Sequence, residues 1–468
     1  MKRVVILIRV KTFLEEVKSG SIDTDKFISD VKASSSSMQK KYAPFITMNE
    51  SFGKTKPQNG VLQYLPVSVK DCLCTEGIRT TAGSKILETY VPNFDATAVA
   101  RVKAAGGMIL GKTAQDEFGF GTFSTNCAYQ VPKNPYDPER TCGGSSGGAG
   151  CATAAADFPH IAIAESTGGS ITAPAAFTGT VGLTPTYGRV SRYGMIDYSN
   201  SMDKVGVISK EVYDSALMLS VIAGHDPLDS TSYNKSSEDF TKYIGKDIKG
   251  MKIGMPKEYF SDIDSNVKKR VEDAIARLEG QGAEISEISL PSTKYAIAAY
   301  YIIAMGEAST NLAKYCGMRY GKQDKISGEF SEYFSSIRSS GFGEEAKRRI
   351  ILGTYMRAAG FRDAYYMKAL KVRSILIKEF KAAFKNVDAI ATPSMPMLPP
   401  KLDDIAKLSP LEIYNMDKMT TAPNLCGFPT ISMPVGTSQG LPAGMQLIAD
   451  HFMEGRLMSL AAAAEVIK

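Results

Sequence analysis

Two clusters of glycines and hydroxyl-bearing residues lie close together in the sequence. The first is Gly143-Gly144-Ser145-Ser146-Gly147-Gly148, and the second is Ser166-Thr167-Gly168-Gly169-Ser170. Between them, 149–156 fits a helix of small residues and 160–164 fits a short buried strand. Adjacent glycines can hold consecutive backbone N–H groups toward one point, which suits an anion or an oxyanion. A serine directly after such a turn can act as a nucleophile. From one cluster alone, glycine turns packed against a helix are the simpler interpretation.

Other kinds of catalytic site find little support in the sequence. Neither cluster is followed by the Gly-Lys-Ser/Thr sequence of a phosphate-binding loop. The chain contains three histidines, His160, His225 and His451, so a Ser-His-Asp triad and metal catalysis are poorly supported. If a serine is activated here, a lysine is the better candidate for its base.

A lysine ends an otherwise apolar predicted strand. The residues Leu65-Pro66-Val67-Ser68-Val69-Lys70-Asp71 alternate as a β-strand does. A lysine in such a strand must be exposed, paired or functional, because an unpaired ammonium group is costly to bury. An edge strand in solvent explains Lys70 as simply as a functional role, so the local sequence leaves both interpretations open.

The order of the predicted elements indicates an α/β protein. A helix over 97–105 is followed by a strand over 108–112, as in a βαβ unit. The stretch 181–194 is predicted to be a loop because it is rich in turn-forming residues. Long helical patterns predict a helical insertion at about 290–385 within one large domain.

The chain is predicted to divide into a short N-terminal segment and a large domain. Residues 1–60 are expected to be a helical segment and loop packed on the core, and 61–468 the large domain. Within the first part, an amphipathic helix is predicted over 9–33, broken near Gly20. Residues 34–60 are polar and are predicted to form a surface loop.

The composition is that of a globular protein. Of the 468 residues, 44% are hydrophobic and 22% are charged, and the net charge of +6 is too small to indicate nucleic-acid binding by itself. No apolar run approaches the ~18 residues that span a membrane. The run Val4–Ile8 is shorter than the ~7–15 residues of a signal-peptide core. Seven cysteines without regular spacing indicate reduced thiols, so a cytoplasmic location is expected.

Taken in order, these features resemble the amidase signature family. The shared pattern is Lys70 at a strand end, then Gly-Gly-Ser-Ser-Gly-Gly, then Thr-Gly-Gly-Ser, with Ser146 and Ser170 separated by 24 residues as in that family. The resemblance extends from about Val61 to about Leu457. It implies the fold of that family, a large mixed β-sheet covered by helices on both faces.

Within the family, the chain is most similar to the glutamine-hydrolysing subunits of tRNA-dependent amidotransferases. The stretches that carry this similarity are 80–87, 185–194, 307–313, 347–354 and 422–429. The similarity implies that glutamine is hydrolysed to glutamate and ammonia, which passes to partner subunits that convert Glu-tRNA(Gln) to Gln-tRNA(Gln). It implies no metal or cofactor on this chain, with ATP and Mg²⁺ bound by the partner.

The resemblance also assigns catalytic roles by position. Ser170 becomes the nucleophile, Ser146 a bridging serine on a cis peptide, and Lys70 the base. Lys70 must be neutral to accept a proton, which burial favours. A bridging hydroxyl can relay the proton because it donates and accepts at once. The implied oxyanion hole consists of the backbone N–H groups of Thr167, Gly168 and Gly169.

Substrate-binding residues follow from the same resemblance. Arg349 is matched to the α-carboxylate of glutamine, with Arg348 as the open alternative, and Asp417 to its α-ammonium group. Tyr301 is expected near the substrate. Without the resemblance, the run 347–349 would be read as a solvated helix face and Asp417 as a helix N-cap.

The chain departs from the family at two positions beside the nucleophile. Ser166 and Thr172 stand where the family usually has Asp and Arg. We expect the lost acid and base to form an ion pair in other members, and the side chains of Ser166 and Thr172 to lie within reach of each other here. Two alternatives to glutamine hydrolysis remain open, a stand-alone amidase acting on small amides and an inactive scaffold protein.

Overall fold

The computed structural model describes residues 9–465, and the run Val4–Ile8 lies outside them. Within this range the strands form a single mixed sheet of eleven strands, in the order β1-β3-β2-β4-β6-β5-β10-β11-β9-β7-β8. The strands are β1 Phe45–Met48, β2 Pro66–Lys70, β3 Met108–Thr113, β4 Ile161–Ser166, β5 Val181–Thr184, β6 Lys204–Ser209, β7 Lys252–Pro256, β8 Glu284–Ile288, β9 Ala389–Pro393, β10 Thr430–Ser438 and β11 Leu441–Ile448.

Helices connect most of these strands. Those in the described residues are α1 Val10–Ser19, α2 Thr24–Tyr42, α3 Thr97–Ala104, α4 Gly147–Ala155, α5 Thr172–Thr178, α6 Val212–Ile222, α7 Ser265–Gly280, α8 Ala296–Asn311, α9 Phe330–Gly341, α10 Glu344–Arg357, α11 Lys368–Ala383, α12 Leu402–Ile405, α13 Pro410–Asn415, α14 Thr421–Leu425 and α15 Glu454–Ala464.

Both faces of the sheet are covered. Because side chains alternate along a strand, Ala389 and Ala391 of β9 join one hydrophobic core and Ile390 joins another. The first core receives side chains from α1, α3, α6, α7 and α15, and the second from α8 to α11. In β4, Ala162 and Ala164 pack against Ala149 of α4. The predicted α/β fold with a covered mixed sheet is confirmed.

The register of the sheet fixes where the lysine strand ends. β2 pairs in parallel with both β3 and β4, and Val69 lies opposite Ile163. The carboxyl ends of β2 and β4 therefore meet at one edge of the sheet. Lys70 closes β2 at this edge, and the turn from Ser166 to Ser170 begins there. Strand pairing thus brings the lysine to the second glycine cluster.

The structure corrects two predicted loops. The stretch 34–60 is not irregular throughout, since α2 continues to Tyr42 because Val31, Ser35 and Met38 form a buried stripe at helical spacing. Within the same range, β1 pairs with β3. The predicted loop at 181–194 begins with β5, whose four residues are all buried between β6 and β10. The predicted division into a segment of residues 1–60 and a domain of residues 61–468 stays a prediction.

Helices occupy the stretch where a helical insertion is predicted. Between β8 and β9 the described chain forms α8 to α11 and short helical turns, without a strand.

None of the helices within residues 9–465 is long and apolar enough to cross a membrane. All seven cysteines are unpaired thiols.

A substitution at Gly148, in the first turn of α4, tests how closely this helix must approach the sheet. A Cβ atom there would lie 2.4 Å from the backbone nitrogen of Ala114 and 2.5 Å from the carbonyl oxygen of Pro44. We expect Gly148→Ala to lower the free energy of unfolding by about 1–3 kcal/mol or more, because backbone atoms must move. Gly280→Ala is the matched control, since no atom lies within 4 Å. Equal denaturation midpoints for the two variants would contradict this packing.

Candidate active site

Lys70 is a fully buried lysine with three hydrogen-bond acceptors. Its Nζ donates to Ser145 Oγ at 2.7 Å, to the backbone carbonyl oxygen of Glu165 at 3.0 Å and to Glu165 Oε2 at 2.7 Å. The side chain is 0% exposed. The alternative of an edge-strand lysine in solvent is therefore excluded, and the lysine head group lies between the two glycine clusters.

The serine that contacts Lys70 is Ser145, not Ser146. The cis peptide bond joins Gly144 to Ser145. Ser146 turns its Oγ to the carbonyl oxygen of Glu165 at 3.0 Å, and its backbone N–H donates to the carbonyl oxygen of Ser170 at 3.2 Å. The prediction that Ser146 is the bridging residue is wrong because adjacent side chains leave the backbone in different directions, which a count of residues does not reveal. Ser145 precedes Ser170 by 25 residues rather than 24.

Ser170 lies between β4 and α5 in a tightly enclosed turn. It is 7% exposed. Gly169 has a φ of 146°, and a Cβ atom on it would lie 2.2 Å from Thr420 Oγ1. A Cβ atom on Gly168 would lie 2.5 Å from the hydroxyl oxygen of Tyr300. Only glycines fit at these two positions, so the turn that precedes Ser170 is held by residues distant in sequence.

The oxyanion hole stays a prediction. Thr167, Gly168 and Gly169 form the turn that leads to Ser170, as the sequence implied. The Gly169 N–H donates to Ser166 Oγ at 3.2 Å. A substrate oxygen would therefore compete with Ser166 Oγ for the Gly169 N–H. The N–H groups of Thr167 and Gly168 take no part in this hydrogen bond.

Glu165 is the site residue that the sequence reasoning missed. It is 3% exposed. Besides holding Lys70, its Oε1 accepts a hydrogen bond of 2.7 Å from the Thr167 hydroxyl. The signal was present in the sequence, because Glu165 follows four apolar residues of a predicted strand, as Lys70 ends another.

A second buried carboxyl, Asp116, lies close by. Its backbone N–H donates to the carbonyl oxygen of Ser145 at 3.2 Å. Its carboxylate accepts from the backbone N–H groups of Ser124 at 3.0 Å and Asn126 at 2.8 Å. Burial raises the pKa of Asp116 to about 6, against the lowering effect of these bonds and of the Lys70 charge.

Of the two arginines that the sequence left as alternatives, Arg348 and Arg349, Arg349 is the buried one. It is 2% exposed, whereas the side chain of Arg348 is 39% exposed. Its Nε donates to Glu345 Oε1 at 2.8 Å, and its Nη1 donates to the Tyr198 hydroxyl. Its guanidinium group also lies 5.3 Å from the ring centre of Tyr301. Burial opposes ionisation of Glu345, but the Arg349 charge holds the pKa of Glu345 below its usual value.

Asp417 lies beside the same aromatic group. Its Oδ2 accepts from the Tyr301 hydroxyl at 2.7 Å and from the Thr122 hydroxyl at 3.1 Å. The Tyr301 ring stacks on Tyr414 at 4.1 Å between centres. The Asp417 side chain caps neither of the helical segments beside it, which removes the N-cap interpretation. Burial raises the pKa of Asp417 to about 6.

The expected contact between Ser166 and Thr172 does not form. Ser166 Oγ is 3.4 Å from Asn424 Oδ1 and accepts from Gly169 N–H. The buried hydroxyl of Thr172 has no hydrogen-bond partner among the described residues. The prediction that these side chains replace an ion pair by contacting each other is therefore wrong, because each side chain is directed to different surroundings.

Comparison with known proteins identifies the class. The sequence model of the amidase family matches residues 33–458. The chain therefore belongs to the amidase family.

Particular relatives are close. The chain is 48% identical over 406 residues to a Halothermothrix orenii protein whose name makes it one of the subunits of glutamyl-tRNA(Gln) amidotransferase, covering 86% of this chain and 84% of the relative. It is 44% identical over 461 residues to a protein of Persephonella marina with the same name, covering 97% and 92%. The crystal structure of the protein of this name from Thermotoga maritima superposes with a TM-score of 0.84 at 34% identity, covering 99% and 96%.

The two neighbouring serines provide a direct test of the geometry. We expect Ser145→Ala to reduce the rate of amide hydrolysis by about 10²–10⁴-fold, the usual contribution of a group that transfers protons. We expect Ser146→Ala to cost less than about tenfold, because the carbonyl oxygen that it contacts still accepts from Lys70. Steady-state rates of the purified variants, with melting curves to confirm folding, provide the measurement. A larger loss for Ser146→Ala would restore Ser146 as the bridging residue.

Proposed function

We propose that this chain is the glutamine-hydrolysing subunit of a tRNA-dependent amidotransferase and acts as a serine hydrolase. The observation that carries the proposal is the 2.7 Å contact between buried Lys70 and Ser145, beside the enclosed turn that presents Ser170. The names of the relatives support the amidotransferase role. The charged groups of Arg349 and Asp417 support glutamine as the substrate.

The proposed reaction begins at the Ser170 hydroxyl. Ser170 Oγ attacks the carbon of the glutamine side-chain amide, its proton passes to Ser145 Oγ, and the Ser145 proton passes to Lys70 Nζ. Backbone N–H groups of the 167–169 turn stabilise the oxyanion, and such a donor is typically worth about 10²–10³ in rate. The proton then returns through Ser145 to the departing nitrogen, which leaves as ammonia. Water cleaves the remaining glutamyl ester by the same route.

The substrate-binding roles rest on charge and placement. Arg349 offers a cation to the α-carboxylate, and its contacts with Glu345 and Tyr198 hold the guanidinium group in one orientation. Asp417 offers an anion to the α-ammonium group, fixed by the hydroxyls of Tyr301 and Thr122. A substrate with both charges gains from both groups, whereas a simple amide gains from neither.

We further propose that the chain works with partner subunits of the kinds called B and C, which bind tRNA and use ATP and Mg²⁺. The relatives are themselves named as subunits. An apolar surface on α10 supports a partner, because Ile351 is 68% and Tyr355 47% exposed on the helix that carries Arg349. Ammonia released at Ser170 would then pass to the partner. A reducing compartment such as the cytoplasm suits the seven free thiols.

Ammonia release from glutamine tests the proposal. We expect the wild-type chain with its partner subunits to release ammonia, and Ser170→Ala to lower that rate about 10³-fold or more, because the nucleophile is lost. Ser374→Ala, on an exposed face of α11, is the control and should retain the rate. Turnover of simple amides without turnover of glutamine would favour a stand-alone amidase. Turnover of no amide would favour a scaffold.

The pKa of Asp417 predicts how glutamine binding depends on pH. Because this pKa is raised to about 6, the carboxylate becomes protonated below that pH and loses its attraction for an ammonium group. We expect KM for glutamine to rise about fivefold between pH 6 and pH 5, and Asp417→Asn to raise KM at pH 8 about 10–100-fold and abolish this dependence.

Two controls isolate the charge of Asp417. Asp404→Asn, an exposed residue paired with Lys407, should leave KM unchanged. Glutaramic acid, which has the carboxylate and amide of glutamine but no α-ammonium group, should show the same KM with Asp417→Asn as with the wild type. Equal losses for glutamine and glutaramic acid would show that Asp417 does not recognise the ammonium group.

A further inference from the structure

Glu165 holds the lysine head group from two sides. Its backbone carbonyl oxygen and its Oε2 accept two of the three hydrogen bonds donated by Lys70 Nζ, at 3.0 and 2.7 Å, and the third goes to Ser145. Both side chains are almost completely buried. A buried ion pair with satisfied hydrogen bonds fixes its members in one orientation more firmly than an exposed pair does.

Glu165 is in turn linked to another buried acid. The Thr167 hydroxyl oxygen lies 2.7 Å from Glu165 Oε1 and also 2.7 Å from Asp203 Oδ1. A hydroxyl has one proton to donate, so two ionised carboxylates cannot both accept from it. One of the two acids must therefore carry a proton and donate it to Thr167.

Asp203 is the acid that carries this proton. Burial, and then the charge of Glu165, raises the pKa of Asp203 well above its usual value, although Arg192 acts in the opposite direction. The other oxygen, Oδ2, accepts from the backbone N–H groups of Tyr198 at 2.9 Å and Ser199 at 2.8 Å, which leaves Oδ1 for the proton. Thr167 then donates its own proton to Glu165 Oε1.

We propose that Glu165 is a positioning residue for the hydrolysis reaction, acting through Lys70. Its carboxylate holds the Lys70 nitrogen against Ser145 and stabilises the ammonium group that forms when the lysine accepts a proton. Asp203 and Thr167 hold the Glu165 carboxyl group in place. The inference deepens the proposed function, since it rests on Lys70 being the base.

The proton count is consistent with this arrangement. As a neutral amine, Lys70 donates its two N–H bonds to the two oxygens of Glu165 and accepts the Ser145 proton with its lone pair. After transfer, the ammonium group donates all three of its bonds to the same three oxygens. Lys70 can therefore gain and lose the proton without moving, while the proton on Asp203 stays in place.

Other ionisable groups lie near Lys70 without forming a hydrogen bond to it. Burial raises the pKa of Asp116 and of the Cys72 thiol, and the Lys70 charge opposes this without a hydrogen bond to either group. Arg192 acts on Asp203, and Arg349 on Asp116. Among the described residues, Glu165 is the only acid that forms an ion pair with Lys70.

The test is the pH dependence of Ser170 reactivity in Glu165→Gln. Labelling by a fluorophosphonate forms a bond between Ser170 Oγ and phosphorus, expels fluoride and transfers the serine proton to the base, without any need for glutamine. Without the Glu165 charge, the ammonium group is less stable and Lys70 becomes neutral at lower pH. The pH midpoint at which labelling rises should therefore fall by about 1–3 pH units.

Two further variants complete the design. Thr167→Val keeps the shape and the backbone N–H but removes the hydroxyl that supports Glu165, so the midpoint should fall by a smaller amount. Glu454→Gln, a buried glutamate that accepts from the backbone N–H of Thr186, is the control and should leave the midpoint unchanged. Melting curves show whether each variant is folded, and Thr167→Val decides the question if Glu165→Gln does not fold.

The outcomes separate this inference from the proposed function. A wild-type chain that labels at Ser170 without hydrolysing glutamine would overturn the substrate while leaving the labelling test intact. An unchanged midpoint in folded Glu165→Gln, with glutamine hydrolysis present in the wild type, would overturn the positioning role alone. An equal shift in Glu454→Gln would show a general effect of removing a buried carboxylate, which also overturns it.

Discussion

The burial of one ammonium group governs the arrangement of this site. Taking Lys70 out of water costs several kcal/mol unless its three protons find acceptors. These acceptors are the Ser145 hydroxyl and two oxygens of Glu165, supplied by a glycine turn and by a neighbouring strand. Because the cost of losing any one of them is high, the end of β2, the end of β4 and the glycine turn before α4 must stay in a fixed relation.

The residues before Ser170 include Glu165, the acid that pairs with Lys70. In this chain Glu165 directly precedes Ser166 at the end of β4. Successive side chains of a strand point to opposite faces, so this one-residue difference places the acid on the side of Lys70 and Ser166 on the side of Asn424. A carboxyl group therefore contacts the lysine head group directly.

Parts of the chain far from the glycine clusters complete the site. Tyr300 of α8 and Thr420 before α14 enclose the turn that carries Ser170, so that only glycine fits at positions 168 and 169. Arg349 comes from α10, in the helical region between β8 and β9, and Asp417 from the segment after α13. The sheet positions Lys70 and Glu165, while the helices between β8 and β9 and around Asp417 position the residues proposed to bind the substrate.

Local patterns in the sequence were enough to predict the strands near the site and the helices at 290–385. Period-two alternation predicted β2, and short apolar stretches at 108–112 and 160–164 predicted its partners β3 and β4, because these signals are local. The same patterns did not reveal β5, where short apolar stretches and turn-forming residues overlap. The contact of Lys70 with Ser145 rather than Ser146 emerged only from the folded chain, since side-chain direction depends on the backbone around each residue. The pairing of Glu165 with Lys70 also needed the fold, because that contact exists only once β2 and β4 lie side by side in register.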